Sequence, residues 1–378
     1  MSRSLFLATL LLACGDKASL PVEPTTVAPA APAPAPVDTS ALDAYFREHF
    51  PADQPGIAVL VAKGGRTVFA AGYGLADLKT REPITPKTLF NVGSLSKTFV
   101  ASAILILHER GKLSVDDPLS KYFPGFKRPE LARKVTLRHL LTHTSGLPDI
   151  RKVDENPDFY LSARDAENWA PILEAEALEF EPGAQFAYSN PAFNGLALIV
   201  EKVSGRKWQT FVRDEIFLPS GMTTSTITDG PHPETGVSHG YVLVDGALRE
   251  FDYGEYPTFA AAGNGGVWSS VEELAQYEQA HREARFLRAA TIADARTVKT
   301  FDRWSSAEPP MIGWSWWIGD VDGVRQIGHT GHQGGFSTQY FILPDKDVLV
   351  VFLFNGPGEF KAITAELHRW LAEKAWLD

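Results

Sequence analysis

The sequence predicts an α/β (α+β) fold: one antiparallel sheet flanked by N- and C-terminal helices, with a mostly helical lobe, roughly residues 110–255, inserted between the halves of the sheet. Three observations carry this expectation. Two β-rich runs near the start are joined by hairpin chemistry, two more near the end are joined the same way, and a segment of helical apolar spacing lies outside each pair. The economical way to bury all four strands is a single sheet assembled from both ends of the chain.

The elements follow in order. Met1-Ser2-Arg3 carries one positive charge, and residues 5–13 (LFLATLLLA) form an apolar run too short to span a bilayer as a helix, so residues 1–13 read as a secretory signal. The run ends in Leu11-Leu12-Ala13-Cys14-Gly15, which resembles the lipobox of bacterial lipoproteins. That resemblance makes Cys14, the single cysteine, the lipidated first residue of an exported protein anchored to a bacterial membrane, at the periplasm or cell surface. An ordinary signal peptide with an incidental cysteine is the other reading. Residues 14–40 are rich in Pro and Ala, whose fixed φ and missing amide donors favour an extended tether over packing.

The folded domain is expected over residues 41–378. Residues 41–50 have helical apolar spacing with Thr39 and Ser40 as N-cap candidates. Residues 56–62 and 67–72 are strands around Lys63-Gly64-Gly65-Arg66, residues 335–343 and 348–354 are strands around Pro344-Asp345-Lys346-Asp347, and residues 360–377 close the chain as an amphipathic helix. Trp304, Trp314, Trp316 and Trp317 lie close in sequence; aromatics alternating on a strand read first as core, and second as the lining of an apolar acyl pocket.

A length of 378 residues fits one large unit or two sub-domains sharing a core, and 44% hydrophobic with 22% charged residues is ordinary for a globular protein. A net charge of -10 without any Lys/Arg run gives no footprint for nucleic acid and no basic patch for anionic lipid. The ten histidines read as core or surface residues, so no metal and no cofactor is expected.

Three segments carry chemistry. Residues 91–101 (NVGSLSKTFVA) place Ser94 and Lys97 three apart at the start of an apolar helical run, hence on one face, beside free N–H groups that favour developing negative charge. A serine hydroxyl needs a neighbouring base, and a lysine serves only when unprotonated or relaying. Residues 186–201 put Tyr188, Ser189 and Asn190 just before a helical segment, and residues 327–336 (IGHTGHQGGF) put His329, Thr330 and Gly331 at the entry to the C-terminal strands. Taken singly, these fit a capped helix start, a buried tyrosine and a Gly-rich strand.

In this order the three resemble the active-site set of the S-x-x-K serine hydrolases, the group of class C β-lactamases, D-alanyl-D-alanine carboxypeptidases and related esterases, which have a β-lactamase/transpeptidase-like fold. The resemblance runs from about residue 42 to the C-terminus, with supporting stretches at residues 135–149, 203–205, 218–222 and 261–277. It implies Ser94 as nucleophile, Lys97 as base or relay and Tyr188 as the phenol that exchanges a proton with nucleophile and leaving group. It further implies Asn190 as a contact to the substrate's side-chain carbonyl, His329, Thr330 and Gly331 as the other wall, and the N–H groups of Ser94 and His332 as the oxyanion hole. His143 is read as capping and packing.

Class C β-lactamases usually carry lysine where His329 stands, and a mostly neutral imidazole attracts a β-lactam carboxylate less than an ammonium does. The expected function is therefore a serine hydrolase acting on a D-amino-acid peptide, amide or small ester, with peptidoglycan-derived peptides among the candidate substrates, and a weak β-lactamase at best. The alternatives are a true class C-like β-lactamase and, from another class, a non-catalytic cell-envelope binding lipoprotein. Arg303 and Arg325 are the arginines considered for a substrate carboxylate.

Overall fold

Alternating and continuous apolar runs from both ends of the chain meet in one six-stranded antiparallel sheet. The computed structural model describes residues 37–153, 155, 163–228, 235–251, 262–308 and 310–377. The signal run, Cys14 and nearly all of the expected tether lie outside the described residues. Helix α1 (Ser40–His49) leads into the hairpin of β1 (Ile57–Lys63) and β2 (Arg66–Tyr73), and the C-terminal part supplies β3 (Trp317–Val321), β4 (Val324–Gln333), β5 (Phe336–Leu343) and β6 (Val348–Phe354).

The sheet order is β3-β4-β5-β6-β1-β2, and the chain ends join where Ile57 faces Phe354 and Lys63 faces Val348. β1 and β6 are buried almost throughout, as central strands covered on both faces must be. On one face Phe341 packs on His368 and Phe352 on Phe360, both from the closing helix Phe360–Glu373, while Phe69 packs on Phe46 of α1. Tyr340, Ile342, Val351 and Leu353 look the other way, into the main core. Thr39 takes the N-cap position of α1 without a capping bond; Asp38 instead accepts the Ser40 N–H at 3.0 Å.

Under the inner face runs α2 (Ser96–Glu109), apolar all round and buried over most of its length, as a core helix should be. The inserted lobe contains α3 (Leu137–Leu141), α4 (Asp165–Leu173), α5 (Asn190–Ser204) and α6 (Trp208–Val212). Among the described residues, 222–228 and 235–251 of this lobe are not helical. Tyr241–Val244 and Ala247–Glu250 form a hairpin around Asp245-Gly246, both at positive φ, and Thr226–Ile227 joins a small sheet with Val267–Ser269 and Phe90–Asn91. Asp-Gly between two short strands is hairpin chemistry, which departs from the expectation of a mostly helical lobe. The turn of helix α7 (Ala262–Gly265) and helix α8 (Val271–Arg282) then lead back to the sheet, and residues 38–378 form one compact unit.

Candidate active site

The site is built outward from a sharp turn. Asn91 Oδ1 accepts the Gly93 N–H at 2.8 Å, Gly93 adopts φ 51, and a single 3-10 turn (Gly93–Leu95) feeds directly into α2. Ser94 therefore stands one turn before Lys97, whose Nζ lies 2.9 Å from Ser94 Oγ and donates to the Asn264 carbonyl at 2.7 Å. Lys97 is 0% exposed, and burial together with the charge of Arg151 holds its pKa well below the ordinary lysine value. In the neutral amine one N–H can stay on Asn264 while the lone pair faces the serine proton, which is the arrangement a hydroxyl nucleophile requires.

Tyr188 precedes α5, whose N-cap Ser189 accepts the Ala192 N–H through Oγ at 3.2 Å. The Tyr188 ring centre lies 5.0 Å from Lys97 Nζ, so alcohol, amine and phenol converge from segments far apart in sequence. His143 fixes this stretch from behind: its ring stacks on Tyr188 at 4.3 Å, its Nδ1 accepts the Ser189 N–H at 3.0 Å, and its carbonyl accepts the Ala187 N–H at 2.9 Å. Burial pushes the His143 pKa well down, and because Nδ1 accepts from Ser189 the neutral imidazole carries its proton on Nε2. Asn190 opens α5 and is half-buried.

Strand β4 forms the facing wall. A Cβ added to Gly331 would lie 2.1 Å from the Val92 carbonyl and 3.0 Å from the Ser94 amide nitrogen, and one added to Gly93 would lie 2.9 Å from the His332 amide nitrogen. Only glycines allow this approach, which brings the Ser94 and His332 amides into one small space. The His332 side chain turns elsewhere, with Nδ1 2.9 Å from Ser337 Oγ and its ring beside Phe360. His329 is buried at 2% exposure, its Nδ1 sits 2.6 Å from the Thr330 carbonyl, and burial beside Lys97 lowers its pKa to about 3. Thr330 itself is half-buried.

Several residues of the site have no motif to announce them. Arg151 is buried and spent on Asp149 and Asn168, and Asn264 serves Lys97 through its backbone. The tryptophan cluster divides: Trp314 and Trp316 are core, whereas Trp317 is half-buried and lies 6.3 Å from the Tyr188 ring, 5.5 Å from Phe186 and 6.0 Å from His329. Arg303 and Arg325 are exposed and paired with Glu181 and Asp345 at 3.4 and 3.9 Å. His139 and His143 are four apart, yet their Nδ1 atoms go to Thr136 and Ser189, and no group of three potential metal ligands occurs among the described residues.

The family described as Beta-lactamase matches residues 42–374. Penicillin-binding protein 4* of Bacillus subtilis (strain 168) is 30% identical over 321 residues, covering 79% of this chain and 67% of that one. The D-alanyl-D-alanine-carboxypeptidase/endopeptidase AmpH of Escherichia coli (strain K12) is 28% identical over 370 residues, covering 92% and 90%. The D-aminopeptidase of Brucella anthropi is 27% identical over 331 residues, covering 85% and 60%. The octameric penicillin-binding protein homologue from Pyrococcus abyssi superposes with a TM-score of 0.73 at 28% identity, covering 85% of this chain and 74% of that one.

Proposed function

The chain belongs to the β-lactamase family and is a serine hydrolase, and from that premise we propose that Ser94 is acylated by a D-amino-acid amide, peptide or small ester, with Lys97 and Tyr188 moving the proton. Ser94 Oγ attacks the substrate carbonyl as its proton passes to neutral Lys97, and the developing oxyanion is held by the N–H groups of Ser94 and His332. Collapse breaks the bond to the amine or alcohol, which leaves with a proton delivered from the Lys97–Tyr188 pair. Water then attacks the ester on Ser94, gives its proton to the same pair, and the acid departs as Ser94 recovers its own. The observation that carries this reading is the buried Lys97, its pKa held well below the ordinary lysine value, at 2.9 Å from Ser94 Oγ.

The facing wall argues for the substrate class. His329 is neutral above pH 5, Arg151 is committed to Asp149 and Asn168, and Arg303 and Arg325 have acidic partners of their own. The residues outside the described set from 154 onward contain neither Lys nor Arg. With Arg151, Arg303 and Arg325 all engaged, none of the three is left over for a free carboxylate beside the scissile bond, which favours amides and esters. A panel of D-alanine p-nitroanilide, p-nitrophenyl acetate, a D-Ala-D-Ala peptide and nitrocefin tests this. The first two should exceed the last two in kcat/KM by about tenfold or more; nitrocefin turned over as fast as the ester would reverse the assignment.

We also propose that Cys14 carries lipid and that residues 15–40 tether the domain to a bacterial membrane, where peptidoglycan-derived peptides are at hand. The apolar run ending at Leu11-Leu12-Ala13-Cys14-Gly15 supports this. Cys14→Ser should move the protein from the membrane to the soluble fraction and remove the lipid mass from its N-terminal peptide; an unchanged membrane fraction would refute the anchor.

A further inference from the structure

Lys97 is the end of a buried hydrogen-bond chain that the chemistry above does not use. Its Nζ donates to the Asn264 carbonyl at 2.7 Å, Asn264 Nδ2 donates to Asn194 Oδ1 at 3.0 Å, and Asn194 Nδ2 donates to Asp165 Oδ1 at 2.7 Å. The same Asp165 Oδ1 accepts the Gly263 N–H at 2.9 Å, and Oδ2 accepts the Trp208 Nε1–H at 3.0 Å. Asp165, Asn194 and Trp208 are 6%, 0% and 0% exposed. No motif marks Asp165, the first residue of α4.

We propose that Asp165 is a positioning residue for Lys97: by gripping α7 it fixes the Asn264 carbonyl that aims the amine at Ser94. A backbone carbonyl is placed by its turn and not by its side chain, so whatever holds α7 sets the lysine. Two grips on α7 end at Asp165, one directly through the Gly263 N–H and one through Asn194 to the Asn264 side chain. A carboxylate in such a place is costly unless donors surround it, and here donors arrive from α5, α6 and α7 at once. With the carbonyl fixed, Lys97 keeps one N–H engaged, stays dry and keeps its lone pair toward Ser94 Oγ. With α7 loosened, water reaches the amine, its pKa climbs toward the ordinary value and less of the base is free at pH 7.

This inference rests on Lys97 being the base, and the test separates the two. The full chain is titrated with a fluorophosphonate to count competent sites, and pH profiles of p-nitrophenyl acetate hydrolysis are recorded for Asp165→Asn, Asn194→Ala, Trp208→Phe and Lys97→Ala. Per competent site, Asp165→Asn should lose about 10- to 100-fold in kcat with KM within about twofold, and its acid limb should move up by about one pH unit. Asn194→Ala should shift the limb in the same direction by less. Trp208→Phe removes a donor that does not lead to α7, so its limb should stay in place. An unshifted limb in Asp165→Asn, or equal shifts in Asn194→Ala and Trp208→Phe, would overturn the proposal, and the latter pair decides if Asp165→Asn does not fold. Activity surviving in Lys97→Ala would instead remove the base assignment beneath it.

Discussion

The two walls that meet at Ser94 are built on different plans. On the helical side, Lys97, Tyr188 and His143 are locked by stacking and by hydrogen bonds to Asn264 and Ser189, so that each proton has a defined place. On the strand side, Gly331 and the amide of His332 supply backbone alone, and the one ionisable side chain facing Lys97, His329, is kept neutral. On the mechanism proposed above, proton handling is concentrated in one wall, and the other approaches the substrate closely without adding charge.

Substitutions on the helical wall should have the largest effect. Ser94→Ala should lower kcat/KM by more than about 10³-fold with circular dichroism and Tm nearly unchanged, since Ser94 makes no capping bond. Lys97→Met should be as inactive and yet more stable at pH 7. The sign follows from linkage: the folded-state pKa of Lys97 lies below the unfolded value, so at neutral pH the unfolded chain binds the extra proton and the buried lysine favours unfolding. A Tm that falls in Lys97→Met would contradict the neutral lysine.

The strand wall should show itself in acid. His329 has a folded pKa of about 3, below the unfolded value near 6.5, so its neutral form contributes stability fully above about pH 6.5 that is lost as pH falls toward 3. At pH 4.5 that loss is about 2 to 3 kcal/mol, and denaturant titrations at pH 7 and 4.5 should show it shrinking in His329→Gln. A smaller change, about tenfold, is expected when charge is placed on this wall: His329→Lys should speed acylation by nitrocefin relative to p-nitrophenyl acetate. If both substrates respond alike, the wall does not select against carboxylates. Smallest of all, Trp317→Ala should raise KM a few-fold for aromatic esters and leave acetate esters unaffected, because the half-buried ring lies beside Phe186 and Tyr188.

The same division explains what could be read in advance. Ser94, Lys97 and Tyr188 were legible because side-chain chemistry at a fixed spacing leaves a mark in the sequence, and the sheet was legible because both of its halves carry turn residues between apolar runs. The grip on Lys97 was not. It comes from a backbone carbonyl 167 residues away and a carboxylate in an unmarked helix start, neither of which has a residue signature. The sequence groups Trp304, Trp314, Trp316 and Trp317, yet only Trp314 and Trp316 are core; Trp304 and Trp317 are half-buried, and that Trp317 lies beside Phe186 and Tyr188 is set by packing. The hairpin at residues 241–250 carries an Asp-Gly turn signal that the expectation of a mostly helical lobe leaves out.

The most direct test is to trap the intermediate. The protein is mixed with p-nitrophenyl acetate, quenched in acid within the first turnovers, and digested with trypsin for mass spectrometry. Acetyl mass should appear on the peptide spanning residues 88–97 with fragments assigning it to Ser94, and it should vanish in Ser94→Ala. Ester turnover with no acyl mass on that peptide, or with the mass on another residue, would contradict the account.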